Sequence, residues 1–379
     1  MRLSNLTIGI IMAACAAAVR AEPTTIEFRY APKAGEEMRH RLVMNSVGTL
    51  SFAPNVPGTR FTQSTTQETA GKCRQVDPDG SAIFDMKLTR IATRMNTPGM
   101  KVDYDSRTFD PEKTDNVAVR MFGRLYSGLV GSELTISFNP QGSPVKVSGM
   151  RQAIEKALGP LKKELANEPT GFLVAPFIDN LAAAFDDSMI GDQLKSFYRF
   201  VPTGEGPIPI GKTWDADWDM ELPFLKTTCQ AKGHYELLGV ETVRGRECAK
   251  IGIKESFAMN TDPGRKAKTD TRPSPGLARL FEKMDMSLSA SNGEGVAHWD
   301  YRKGVLVQLR QTQRIAITVK FNPKDILAMT APAADTAPAA EQAPQTFTQN
   351  VTSSIQVDLL EGEADEPATR KASGASANP

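Results

Sequence analysis

Asp215, Asp217 and Asp219 form the most metal-like grouping in the chain. Their spacing matches the start of an EF-hand loop, which takes calcium ligands from its first, third and fifth positions. The match ends there. Met220 stands at the sixth position, where glycine makes the sharp turn, and Lys226 at the twelfth, where a bidentate glutamate is needed. Trp214 and Trp218 alternate with the aspartates, so the three carboxylates read as the wet side of a strand. His40, His234 and His298 are scattered, with no cysteine or glutamate at ligand spacing, and predict neither a metal nor a cofactor. His40 shares the apolar phase of Met38, Leu42 and Met44, which suits a hydrogen-bonded core histidine.

Nucleophile motifs and phosphate-cradling glycine loops are missing. The sequence has no Gly-x-Ser-x-Gly, no His-Glu-x-x-His and no dinucleotide fingerprint. Members of a Ser/His/Asp triad need not be near in sequence. The chain therefore reads as non-enzymatic, with a hydrolase that gathers His40 or His298 beside Ser and Asp as the remote alternative.

The amino terminus predicts export. Met1-Arg2 is a minimal basic start, Leu6 to Val19 is apolar, and Val19-Arg20-Ala21 is a small-residue cleavage pattern. The apolar run is shorter than the roughly 20 residues of a membrane span. Cleavage after Ala21 gives a periplasmic or secreted protein. A loose lipobox, Met12-Ala13-Ala14-Cys15, supplies the alternative of a lipid anchor at Cys15.

Of 379 residues, Lys and Arg number 45 against 44 Asp and Glu. Loss of Arg2 and Arg20 leaves 43 against 44, a balance that excludes global attraction to nucleic acid. Four cysteines fall to three without Cys15, and an odd count argues against a disulfide framework. Cys229 lies in the apolar phase of its strand and Cys248 out of phase in the next. That places them on opposite faces, Cys248 on the polar one, where they do not bridge unless a bulge intervenes.

Period-two alternation predicts the elements that hold these residues. Val305, Val307, Leu309, Ile315, Ile317, Val319 and Phe321 share one face of a long strand, and Gln311 and Gln313 interrupt it, which predicts a bend or bulge. Phe347 to Leu359 repeats the pattern, and Ile26–Tyr30, Met38–Met44, Phe84–Leu88 and Trp214–Met220 add strands. Asp77–Gly80, Asn139–Gly142 and Arg302–Gly304 read as turns. Helices are expected over 117–129, capped by Thr114 or Asp115, over 149–167 with an interruption at Pro160, and within 171–198. The fold class is α+β: a long curved antiparallel sheet, or two, or a half-barrel, with helices over its concave face. Gly35 before Met38, and Gly211 before Trp214, hint at a two-fold internal repeat.

The expected organisation is a signal segment at 1–21, a β-rich half at 22–148, a helical segment at 149–204 and a second β-rich half at 205–360. The latter carries insertions at 258–292 and 328–345, and a disordered tail follows at 361–379. Three phrases carry a resemblance: Gly211-Lys212-Thr213-Trp214, Leu238 through Ile251, and Gly295 through Val307. They resemble a family of uncharacterised exported bacterial proteins, a domain of unknown function common in planctomycetes. More distantly, the architecture is similar to the lipoprotein-carrier fold of periplasmic lipid chaperones. A long curved sheet with one apolar face must be covered, and helices that cover it loosely leave a pocket, so the expectation is an exported envelope protein that binds a lipid or other apolar small molecule there. The expected lining is Met38, His40, Leu42, Met44, Phe84, Met86, Trp214, Trp218, Leu309, Ile315 and Ile317. The alternative is a filled-core module that binds another envelope protein.

Overall fold

The structure, a computed structural model, describes residues 23–51, 58–97, 100–110, 113–114, 117–166, 187–202, 206–222, 227–259, 285–322 and 345–360. The signal segment with Cys15, a cap at Asp115, the stretch 171–186, the interiors of both insertions and the tail lie outside these residues.

The alternating segments form fourteen strands among the described residues. They are β1 (Thr25–Ile26), β2 (Glu37–Ser51), β3 (Thr59–Val76), β4 (Ala82–Thr97), β5 (Met100–Asp105), β6 (Glu133–Phe138), β7 (Pro144–Ser148), β8 (Ile208–Pro209), β9 (Thr213–Leu222), β10 (Thr227–Val243), β11 (Arg246–Met259), β12 (Asp285–Asp300), β13 (Val305–Phe321) and β14 (Gln345–Leu359). Three helices accompany them: α1 (Val117–Leu129), α2 (Met150–Ala166) and α3 (Asp187–Tyr198). β1 and β8 pair with each other. The other strands make one antiparallel sheet in the order β7-β6-β4-β3-β2-β14-β13-β12-β11-β10-β9, with β5 beside the far half of β4. The two β-rich halves are therefore one sheet, joined where β2 pairs with β14. β7 and β9 remain its edges, so the sheet is not closed into a barrel.

Tyr198 shows how far the sheet curls. Its ring lies 5.8 Å from Phe138 on β6 and 5.7 Å from Trp299 on β12. Those strands are six steps apart, about 29 Å along a flat sheet. One ring meets both only because the sheet wraps its apolar face around the end of α3. Phe84, Phe138 and Val147 on one side, and Tyr235, Ile251 and Trp299 on the other, pack onto this plug. The chain after β1 seals the same end. Arg29 N–H donates to the Tyr301 carbonyl at 2.8 Å, and Tyr30 lies where a side chain on Gly142 or Gly304 would stand. Both glycines have positive φ, and both turns were expected.

Local differences from the sequence reading have simple causes. β13 runs through Gln311 and Gln313 in unbroken register with β14. Its register shifts against β12 come instead near Val307 and opposite Ser289. Gln311 stays on the inner face because Glu255 accepts its amide hydrogen bond there, and Gln313 shares that face. α2 continues through Pro160, which sits on its exposed side. Cys73, Cys229 and Cys248 are free and buried. Cys248 does lie off the apolar phase, yet it packs against Val307 and Leu359, because the sheet's second face is also covered at this end. β11 reaches Met259 and β12 starts at Asp285, so strand pairing occupies both ends of the expected 258–292 insertion.

The two halves open alike. Gly35 and Gly211 have φ of 83° and 84°. Gly35 N–H donates to the Cys73 carbonyl and Gly211 N–H to the Leu237 carbonyl, at 2.8 and 2.7 Å. A register shift follows each acceptor, between Cys73 and Gln75 and between Leu237 and Gly239.

Candidate functional site

Beyond the sealed end, a polar belt crosses the inner face. Register places Ala216, Gly233, Glu255, Gly293, Gln313, Ser353, Ser46 and Gln63 in one row across eight strands. The adjoining row holds Trp214, Tyr235, Ile253, Gly295, Gln311, Ile355, Met44 and Thr65. Ser46 and Ser353 hydroxyls meet at 2.8 Å, and Thr65 lies 3.4 Å from Thr93.

Glu255 is the centre of this belt. Its cross-strand neighbours are glycine on both sides, Gly233 on β10 and Gly293 on β12. A side chain at Gly233 would overlap the Tyr235 phenol, and one at Gly293 would crowd the Gln311 amide. The two glycines thus leave room for both neighbours to lean over the carboxyl. Gln311 Nε2 donates to Glu255 Oε2 at 2.6 Å, and Tyr235 O–H donates to Oε1 at 3.4 Å. Arg199, just after α3, stacks 4.3 Å above the Trp218 ring, and its Nη1 is buried without a hydrogen-bond partner.

Electrostatics follow from burial. Desolvation pushes the Glu255 carboxyl above the usual carboxylate range, against the pull of Gln311, Tyr235 and the Arg199 charge. Desolvation likewise lowers Arg199. A raised carboxyl binds its proton more tightly in the folded state than in the unfolded chain. Its stabilising contribution is present below the unfolded pKa and is lost as pH rises through the folded one. Glu255→Gln is therefore expected to gain melting temperature relative to wild type as pH rises from about 4 to about 7. Thermal melts of both proteins across that range check this, and parallel curves would refute it.

The eleven expected lining residues scatter along the inner face and its sealed end. Phe84 and Leu309 are fully packed core. Met38 and Met86 pack on the cluster of Cys73, Phe84 and Phe138, and Leu42 and Trp214 on that of Tyr235 and Ile251. His40 Nε2 lies 3.2 Å from the Leu306 carbonyl, and burial lowers its pKa. Met44 belongs to the belt, Trp218 supports Arg199, and Ile315 and Ile317 lie half-buried beyond the belt on β13. The belt's own key residues, Arg199, Tyr235, Glu255 and Gln311, were not foreseen. Two signals existed: Glu255 falls in the apolar phase of Ile251, Ile253 and Phe257, and Gln311 interrupts that of its own strand.

The opposite face carries an open hollow of about 740 Å³, lined in part by Asn45, Glu236, Leu238, Lys254, Arg310 and Ser354. None of the eleven expected residues lines it; Ile315 lines a smaller one of about 400 Å³. Asp215, Asp217 and Asp219 are exposed, with Asp215 paired to His234 at 2.7 Å. No group of metal-ligating side chains occurs among the described residues. His298 meets Glu241 at 3.2 Å; among the described residues, neither it nor His40 is hydrogen-bonded to a serine. No described helix is long and apolar enough to cross a membrane.

No curated protein matches the sequence. Among solved structures, 90% of the chain aligns with lipovitellin, in a structure described by its lipid–protein interactions, at 10% identity and a TM-score of 0.38. The chain spans only 26% of that protein. A putative exported protein with a YmcC-like fold from Bacteroides fragilis aligns over 86% of this chain and 97% of its own, at 9% identity and a TM-score of 0.19. The outer membrane protein OprG from Pseudomonas aeruginosa aligns over 87% and 98%, at 8% identity and a TM-score of 0.18. None of these likenesses assigns a role to a residue. Residues 79–298, more than half of the sequence, match DUF6263, and the chain belongs to that family of unknown function.

Proposed function

We propose that this is a non-enzymatic exported envelope protein that holds an apolar or lipid-like ligand against the inner face of its sheet. One observation carries the reading: that face changes character along the strands. At the sealed end its side chains are solid core, with Phe84, Leu237, Ile251 and Leu309 each at 2% exposure or less. Past the polar belt, Phe257, Ile315, Ile317 and Val351 point to the same side and are only half-buried. Apolar surface left partly wet on the inside of a curled sheet is surface that an acyl chain would cover, at about 0.8 kcal/mol per methylene removed from water. The export pattern at 1–21 places the ligand outside the cytoplasm, with cleavage after Ala21 or acylation at Cys15 as its two routes.

Native mass spectrometry of protein purified from its own envelope, followed by solvent extraction, tests the reading. The expected result is a co-purifying lipid that extraction removes. A clean apo mass, together with failure of the apo protein to bind a fluorescent fatty acid, would overturn it. That outcome would favour a filled-core interaction module, for which the packed sealed end is the supporting observation.

A further inference from the structure

We infer that Arg199, with Tyr235 and Gln311 around Glu255, is the receptor for an anionic head group, carboxylate or phosphate, on the ligand proposed above. The inference rests on that carrier reading and adds the polar end of the ligand to it.

The first support is a charge without a partner. Arginine is protonated at any physiological pH, and a buried guanidinium is costly unless an anion or several acceptors face it. Among the described residues no ion pair or hydrogen bond reaches Arg199; its guanidinium lies over the Trp218 ring, and the charges of Asp192 and Glu255 act on it only from beyond ion-pair distance. Stacking occupies the flat face of the guanidinium. The N–H donors radiate in its plane, in the fork geometry that matches carboxylate and phosphate oxygens.

The second support is that the neighbouring acid is already engaged. Both Glu255 oxygens take hydrogen bonds, from Gln311 and Tyr235, and neither oxygen is within ion-pair distance of Arg199. Burial favours the neutral form of that carboxyl. The cluster is thus organised around an acid that makes no direct ion pair with the arginine, and Gly233 and Gly293 give it the space to be so.

The third support is position. The belt lies between the packed end and the half-buried aliphatic rows of the same face. A head group held at Arg199 would leave its chain to run along Phe257, Ile315 and Ile317. Ser291, which pairs with Ile315 two residues from Gly293, presents a second buried polar atom without a hydrogen-bond partner among the described residues.

The test uses delipidated full-length protein and three probes of equal chain length: a fatty acid, an alkyl phosphate and a fatty alcohol. Isothermal titration is expected to show the acid or the phosphate binding at least about tenfold tighter than the alcohol. Arg199→Met should abolish that preference, and Arg199→Lys should restore part of it. The tighter of the two anions identifies the head-group chemistry. Equal binding of acid, phosphate and alcohol to wild type, or a preference that survives Arg199→Met, overturns the head-group site while the carrier stands. Failure of all three probes to bind wild type overturns the carrier itself. If Arg199→Met does not fold, the wild-type comparison of anion with alcohol decides alone.

Discussion

Trp299→Ala is expected to destabilise the protein by about 3–5 kcal/mol, the range for deleting a large, fully buried aromatic side chain. Trp299 is 2% exposed. Its ring meets Tyr198 edge-on at 5.7 Å and Phe200 at 5.9 Å, both at or just beyond the end of α3. It is therefore the wall of the second half against which the plug rests, while Phe138 is the wall of the first. The register shift between His298 and Trp299 helps turn it there. Because the plug touches both halves, the cavity left by alanine loosens the curl of the whole sheet and not β12 alone. Urea denaturation followed by far-UV circular dichroism measures the loss. A change below about 1 kcal/mol would mean that the curl is held elsewhere.

Glu68→Ala is expected to cost about 2–4 kcal/mol, close to the penalty for breaking a buried ion pair and discounted for partial solvent screening. Glu68 lies on β3 at a register shift against β4, with a side chain only 6% exposed. Three guanidinium groups converge on it: Arg41 from β2 at 3.3 Å, Arg90 from β4 at 3.2 Å, and Arg107 from the turn after β5 at 3.0 Å. One carboxylate thus ties four consecutive pieces of the first half together. Its removal takes the shared carboxylate from those cations, of which Arg90 is also held by Asp105 at 2.6 Å. The arginines are themselves 24–40% exposed, so water relieves part of the repulsion. Glu68→Gln keeps an acceptor without the charge and should fall between wild type and alanine. A double-mutant cycle with Arg90→Ala checks the assignment, since a coupling near zero would place the loss in packing instead.

Glu68 also shows what alternation does and does not say. It sits on the face that period-two reading assigns to solvent, and it is buried all the same, because arginines from three other elements close over it. Cys248 is a second case, off the apolar phase yet fully buried in a cluster with Val307 and Leu359. Alternation fixes the side of the ribbon from which a residue projects. It carries no information about what another part of the chain lays over that side.

The candidate site separates in the same way. Met44, Trp214, Trp218, Leu309, Ile315 and Ile317 were all legible as residues of one apolar phase, and all six project from the inner face. Gln311 and Gln313 were legible as a break in that phase, yet the break meant a buried polar belt and not a bulge. Gln311 is kept inward by Glu255, 56 residues away in sequence, and the two fit because Gly293 stands between them. Arg199 had no sequence signal, since a turn after a helix gives no periodicity to depart from.

Local sequence by itself determined the strands around Met38–Met44, Phe84–Leu88, Trp214–Met220, Val305–Phe321 and Phe347–Leu359, the α1 and α2 spans and the turns at Asp77–Gly80, Asn139–Gly142 and Arg302–Gly304, while the strand expected over Ile26–Tyr30 is confined to Thr25–Ile26. These depend on side-chain alternation, helical spacing and the φ values that proline and glycine permit, all set within a few residues. Tertiary structure alone decided that the halves share one sheet, that α3 plugs it, and that Glu255 is cradled while Arg199 Nη1 is buried without a hydrogen bond among the described residues. Each of those is a meeting of segments far apart along the chain, and such meetings are selected by the free energy of the whole packed arrangement, which no short stretch encodes.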